Sequence, residues 1–469
     1  MWDLSCPRSG DALSRRSPAL GLLCLALLCG LPMLAVAQGA PAAAPVPKVD
    51  TGDTAWMLVS AAFVMLMTPG LALFYGGMVR AKNVLNMLMQ SFVALGVVTV
   101  VWILWGYSLA FGPGGRWIGS LAWFGLQGVG QAPNPDYAAT IPHSVYMIYQ
   151  MMFAIITPAL ISGAIAERMK FSTYVVFMVL WSTLVYCPVA HWVWGHNGWL
   201  GAMGALDFAG GTVVHITSGV SALVVALALG KRRSAGIGHE EELRPHNLPL
   251  TLIGTGLLWF GWFGFNAGSA LTSGGLAASA FLATHVAAAV AGVTWIGLDC
   301  LVHKKPTALG FATGAVAGLV AITPASGFVG PVAAIAIGAA VAVISFFAIQ
   351  LKHRFHYDDT LDVFGVHGIG GMWGAIATGL FASVAVNAAG ANGLFAGGGF
   401  ALLGKQLVAV GVSVGYAATV TCLLVLILKK VMGLRVSEEA ENAGLDLALH
   451  GEAGYNGPGS ESGLFPDSD

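Results

Sequence analysis

The chain has 469 residues, 57% of them hydrophobic and 9% charged, with a formal net charge of −1 and a mean hydropathy of +0.77. Soluble domains carry about 25% charged residues, so this composition excludes a water-facing globule and points to an all-α polytopic membrane protein. With lipid as the main solvent, the net charge says little of partners, and no nucleic-acid partner is expected.

The N-terminus reads as a signal peptide over residues 1–37. Arg15 and Arg16 precede the apolar run ALGLLCLALLCGLPML, and Ala35-Val36-Ala37 supplies a small-x-small cleavage site. The alternative is a retained first helix. Residues 38–53 follow as a periplasmic N-terminal linker. Cleavage would leave Cys187, Cys300 and Cys422, scattered in or near apolar spans, so neither a disulfide framework nor cysteine-based metal binding is expected.

Eleven mostly apolar stretches then have roughly the twenty residues that an α-helix needs to cross a bilayer. They cover 54–77, 85–111, 144–166, 171–192, 207–230, 248–268, 277–302, 307–325, 329–351, 362–386 and 401–429. The membrane domain is therefore bounded at 54–430, with a polar tail over 431–469. Sixty-four glycines fit close helix packing. Basic residues fall at every second boundary: Arg80/Lys82, Arg168/Lys170, Lys231 to Arg233, Lys304/Lys305, Lys352/Arg354 and Lys429/Lys430. The alternate loops contain only Arg116. By the positive-inside rule the mature N-terminus is outside and the C-terminus cytoplasmic, in an inner membrane.

Helices one to five and six to ten read as two five-helix halves of opposite orientation, with an eleventh helix added. Each half carries one histidine in an apolar run: His215 in DFAGGTVVHITSG and His367 in DVFGVHGIGG. Helical rise places His215 about 12 Å from Asp207 and His367 about 7.5 Å from Asp362. Both approach the membrane middle from opposite faces, where inverted-repeat transporters hold their sites. An ionisable side chain in lipid is costly, which favours a function. Three readings stand: interior histidines bonded to carbonyls, metal or haem ligands, and a proton relay in an apolar pore. Asp207 and Asp362 read as caps of their helices.

Trp194 ends AHWVWG, where an interfacial belt tryptophan would also lie. Tyr149 and Phe153, four apart on the third helix, and Phe265 in WFGFNAGS suit either packing or an aromatic cage. A ring face attracts a small cation by about 0.5–2 kcal/mol. Ser269 adds a hydroxyl acceptor.

The strings GAIAERMKF (163–171), DFAGGTVVHI (207–216), GWFGFNAGSA (261–270), ITPASGFVG (322–330), DVFGVHGIGG (362–371) and GLRVSEEAENAGLDL (433–447) closely resemble the ammonium transporter (Amt/Mep/Rh) family, bacterial Amt branch. The resemblance runs from about residue 54 to 456. It implies the ammonium transporter fold as a homotrimer with one pore per subunit. His215 and His367 match the twin pore histidines, and Phe153 and Phe265 match the phenylalanine gate. Trp194, Ser269 and Tyr149 match the outer ammonium-recruiting site, with Phe153 at its floor, and Asp207 matches the acidic residue that shapes the vestibule. Tyr149 departs from the phenylalanine usual at its position. The resemblance further implies that the tail packs on the cytoplasmic face and receives a PII-type signal protein.

Ammonium transport is thus the expected function, with an ammonium sensor acting through a bound partner as the second. A membrane enzyme is not expected, since no nucleophile-base constellation stands out, and no cofactor or metal is assigned.

Overall fold

The computed structural model describes residues 48–233 and 243–455. The expected signal peptide, most of the linker, the end of the tail and part of the loop after Arg233 lie outside the described residues. Among the described residues nine helical runs are long and apolar enough to cross a membrane. The other two expected spans form shorter helices.

Among the described residues, the helices at the expected spans are α1 (Thr51–Met78), α2 (Val84–Val101, continued to Phe111), α3 (His143–Ile165), α4 (Phe171–Trp181, continued to Trp194) and α5 (Gly211–Ile216, then Thr217–Leu229). They continue as α6 (Leu248–Ala267), α7 (Gly275–Val302), α8 (Ala308–Ile322), α9 (Pro331–Phe355), α10 (Phe364–Gly368, then Ile369–Phe381) and α11 (Ala401–Val431). Helix starts are set by local chemistry. The side chains of Asp50, Asn247 and Thr307 accept from Asp53, Leu250 and Gly310 backbone N–H groups, capping α1, α6 and α8. Pro331 opens α9 at a position where no N–H is needed.

The α8 helix is 15 residues long because its apolar run ends in hydrogen-bonded turns through Thr323–Phe328, not in more helix. The expectation of an all-α chain is modified by one small antiparallel pair, β1 (Pro133–Asn134) and β2 (Ala138–Pro142), in the long loop before α3. A short helix, Trp199–Met203, occupies the loop before α5.

The α1 helix packs along α6, and α5 packs against the first turn of α10. These are counterparts in the two expected halves. The α3 helix is sheathed by the others, with nearly every residue buried. Leu227 on α5 and Leu423, Leu426 and Ile427 on α11 are exposed, as an apolar face against lipid requires.

Helix ends bearing basic residues gather at one end of the bundle, here the basic end. Glu167 accepts from Arg80 at 3.0 Å and from Arg232 at 3.3 Å, and Arg232 also pairs with Asp358 at 2.9 Å. Arg168 is fully buried and donates to the carbonyls of Ala164, Ala166, Gly230 and Asp358 and to the Thr360 hydroxyl. The tail packs on the same end. Lys170 and Val436 N–H groups donate to Leu434 and Arg168 carbonyls, Arg435 holds the buried Glu441 at 2.7 Å, and Asp446 accepts from the Leu85 and Asn86 N–H groups.

Burial works to raise the Asp358 carboxyl, but Arg232 and then Arg168 outweigh it and hold it at about 2. A depressed carboxylate stabilises the fold above its ordinary value of about 4, and that contribution is lost as pH falls toward 2. Thermal unfolding of the detergent-solubilised protein should show a melting temperature that falls between pH 5 and pH 3. Asp358→Asn should melt lower at pH 5 and lose part of that slope.

Candidate functional site

The two histidines are delivered by mirrored devices. Asp207 lies before α5, and its two oxygens accept four successive backbone N–H groups, from Gly210 and Gly211 at 2.8 and 2.7 Å and from Thr212 and Val213 at 2.7 and 3.1 Å. It is the cap expected, although the helix proper starts at Gly211. At the opposite end of the bundle the expected cap, Asp362, is corrected. Asp359 makes that cap, accepting from Val363 and Phe364 at 3.1 and 2.7 Å. Asp362 has a left-handed φ of 61° and instead pairs with Lys352.

The replacement exposes a regularity. Asp207 precedes His215 by eight residues, and Asp359 precedes His367 by eight. That spacing was readable in the sequence and was obscured by the nearer Asp362. In both cases the histidine lies in a π-helical turn, Gly211–Ile216 or Phe364–Gly368, a widened geometry common at functional sites. Burial pushes the Asp359 carboxyl up to about 6, Asp362 adds to this, and Lys352 opposes it.

His215 and His367 are buried, with their Nδ1 atoms 3.2 Å apart and ring planes inclined by 30°. A bond between two Nδ1 atoms holds one proton, so one ring donates and the other accepts. This tautomer logic leaves the Nε2 of His215, which is buried without a partner. It is a free polar atom in an apolar channel. The two helices that carry the pair meet at Gly219, where an added Cβ would lie 2.1 Å from the Gly368 nitrogen. Only a residue without a side chain lets the rings approach.

Above the pair, Phe153 and Phe265 stack with centroids 4.1 Å apart, and both are buried. Phe265 lies 6.1 Å from the His215 ring, and Trp262 flanks that ring at 5.4 Å. Above the phenylalanines, Trp194 stands edge-on to Phe153 at 6.0 Å and donates its Nε1–H to the Asp207 carbonyl at 2.9 Å. The alternative of an interfacial belt is thus not what the geometry gives. Trp194 is tied to the same segment as His215.

Tyr149 packs on Phe153 at 5.0 Å, and its hydroxyl lies 2.8 and 2.9 Å from the Phe265 and Gly264 carbonyls and 3.1 Å from Ser269 Oγ. Ser269 also donates to the Phe265 carbonyl at 2.9 Å. Helices α3, α4, α5, α6 and α10 therefore bring all eight sequence-assigned residues into one column.

Beneath the stacked phenylalanines runs a narrow apolar cavity lined by Leu71, Trp262, Val316 and both histidines, among others, in which a water-sized sphere has about 10 Å³ of freedom. That is room for about one such molecule. A second space of about 50 Å³ continues from His367 past Tyr75 and Thr313 to Asp362. Sequence reasoning did not find Trp262, Tyr75 or Asp359. The first two are aromatic residues in apolar helices, with no pattern to distinguish lining from packing.

A model of the Ammonium Transporter Family matches residues 55–455. The chain belongs to that family. It is 55% identical over 408 residues to an ammonium transporter of Bacillus subtilis, covering 87% of this chain and 99% of the relative. Among solved structures it is similar to Candida albicans Mep2, at 36% identity and a TM-score of 0.79, with 84% of this chain and 88% of that one covered. A protein described as a sensor Amt protein is 30% identical, with a TM-score of 0.78 and 85% and 98% coverage. Membership supports ammonium transport by a multi-pass membrane protein.

Two outcomes follow for this family member. Gly219→Val should force the crossing apart and cost more than about 3 kcal/mol, read as a lower melting temperature and loss of the folded peak on size exclusion. Asp207→Ala strands four N–H groups and should cost about 2–4 kcal/mol, whereas Asp207→Asn, which keeps one side-chain oxygen, should melt between that variant and the wild type.

Proposed function

We propose that this chain conducts ammonia after removing a proton from ammonium at the gate. The observation that carries this reading is the buried Nδ1–Nδ1 contact of His215 and His367 inside an apolar cavity, with a free Nε2. Moving an ammonium-sized ion into such a medium costs of order 20 kcal/mol in the idealised limit. Neutral ammonia carries no such penalty and finds hydrogen-bonding atoms along the histidines.

The cation is recruited above the gate by the face of Trp194 and by the oxygens of Ser269 and Tyr149. Each contact is modest, since an aromatic face contributes about 0.5–2 kcal/mol. The stacked pair of Phe153 and Phe265 then opposes the hydrated ion. A proton left at the gate returns through the histidine pair, whose shared Nδ1 proton shifts from one ring to the other as the free Nε2 gains or loses one. Potassium has no proton to give, so the same step confers selectivity.

The rest of the reading is architectural. Eleven helices cross an inner membrane as two inverted halves plus α11, with the basic end cytoplasmic. Residues 1–37 direct the chain there and are removed. Three copies form the working unit, and the docked tail with its exposed Glu438 and Glu439 offers a face to a PII-type signal protein. That docked tail favours a second reading, an ammonium sensor that signals through such a partner.

The test is ammonium-evoked current and flux in proteoliposomes, with potassium as competitor. Changing both His215 and His367 to leucine should reduce selective flux at least tenfold, proton transfer being worth about 10²–10⁴, or admit potassium. Unchanged flux and selectivity would sink the relay. Trp194→Leu should weaken apparent affinity about 2–30-fold, the equivalent of one cation–π contact. Absence of flux in folded wild-type protein would favour sensing.

A further inference from the structure

His191 lies one helical turn before Trp194, at the end of α4, and is 1% exposed. Its two ring nitrogens face two backbone carbonyls: Nδ1 is 3.0 Å from the Ala110 oxygen and Nε2 is 2.7 Å from the Gly115 oxygen. A carbonyl oxygen only accepts. A neutral imidazole has one N–H, so in that form one nitrogen lone pair would be pressed against an oxygen lone pair. Protonation of both nitrogens removes the conflict and converts both contacts into charge-assisted bonds.

The surroundings leave the ring no other arrangement with equal bonding. The loop 114–117 presents four successive carbonyls, and each has a partner from the 191–199 segment. Asn197 Nδ2 reaches Gly114 at 3.4 Å, His191 reaches Gly115, the Trp199 N–H reaches Arg116 at 3.3 Å, and Trp192 Nε1 reaches Trp117 at 2.7 Å. The other three donors can only donate. The Ala110 carbonyl belongs to the last turn of α2, where no helical N–H follows to bond it. Gly195 presses on the ring, since an added Cβ there would lie 2.6 Å from His191 Nδ1. A positive charge in the last turn of α4 also suits the helix dipole.

We infer that His191 is a positioning residue, protonated on both ring nitrogens, that clamps the end of α2 and the 114–117 loop to α4 and thereby fixes Trp194 over the gate. The inference rests on the reading of Trp194 as part of the ammonium-recruiting site. Titratable and charged groups on the elements packed around the clamp are few. Arg116 lies on the clamped loop; Tyr107 and His143 pair at 2.6 Å beside α2; Tyr137 donates to the Phe111 carbonyl; and exposed His196 and Asp136 approach within 3.5 Å. Asp207 is linked through the Trp194 indole. Loss of one ring proton would break one of the two bonds, let the loop move and loosen Trp194 without touching the histidine pair below.

The test uses the full chain in lipid nanodiscs, labelled with ¹⁵N-histidine, comparing wild type with His191→Gln. The ring resonances that disappear in the variant should be two protonated nitrogens at neutral pH. A protonated and an unprotonated nitrogen in their place would overturn the inference. In proteoliposomes, His191→Gln keeps one donor and should raise the apparent KM for ammonium about 3–10-fold, the equivalent of one ordinary hydrogen bond, with kcat little changed. Trp194→Leu run in parallel separates the two ideas. If it leaves KM unchanged, the recruiting-site reading fails; if it raises KM while His191→Gln does not, the clamp fails.

Discussion

The constraint on which the rest depends is the cost of leaving a polar atom unpaired in an apolar interior, about 1–3 kcal/mol for a neutral group and more for a charge. The interior of this bundle is largely apolar, and its buried charged groups bring their partners with them. Asp207 does so with four helical N–H groups, and Arg168 spends all its donors on carbonyls and one hydroxyl at the basic end. The unpartnered Nε2 of His215 differs from other buried polar atoms in that its ring lines the cavity below the stacked phenylalanines. It is a place where a small hydrogen-bonding solute would gain what the protein itself withholds.

The same constraint explains why the column is layered. In the proposed mechanism, aromatic faces and hydroxyls gather where a cation would still be partly hydrated. Two stacked phenylalanines would close the route where it is not. The histidines lie beyond, where a neutral species would be tolerated at lower cost than an ion. The layers are linked by short hydrogen bonds: Trp194 donates to the Asp207 carbonyl, Asp207 caps the turn that carries His215, and Tyr149 and Ser269 donate to the carbonyl of Phe265.

Much of this was legible in the chain alone. Spans of twenty apolar residues have few alternatives to a transmembrane helix. The long motifs around His215, Phe265 and His367 brought the family into view. Where the reading slipped, the reason was local. Asp362 stands next to an apolar run and looks like a cap, but a left-handed φ turns its carboxylate to Lys352, and Asp359, three residues earlier, takes its place. Trp194, which the motifs placed with the other site residues, also suits an interfacial belt by its position in the chain, and its hydrogen bond to Asp207 and its edge contact with Phe153 set it in the column.

By itself, then, the sequence determined that the chain lives in a membrane and which family it belongs to, and it named the eight residues that the fold brings into one column. These follow from composition, span length and motif, all properties of the chain in one dimension. Tertiary structure alone decided the 3.2 Å meeting of the two Nδ1 atoms, the close crossing at Gly219, the exchange of Asp359 for Asp362 and the two carbonyls facing His191. Each depends on the contact of segments tens to hundreds of residues apart, or on a backbone angle set by such a contact, and no periodicity along the chain encodes that.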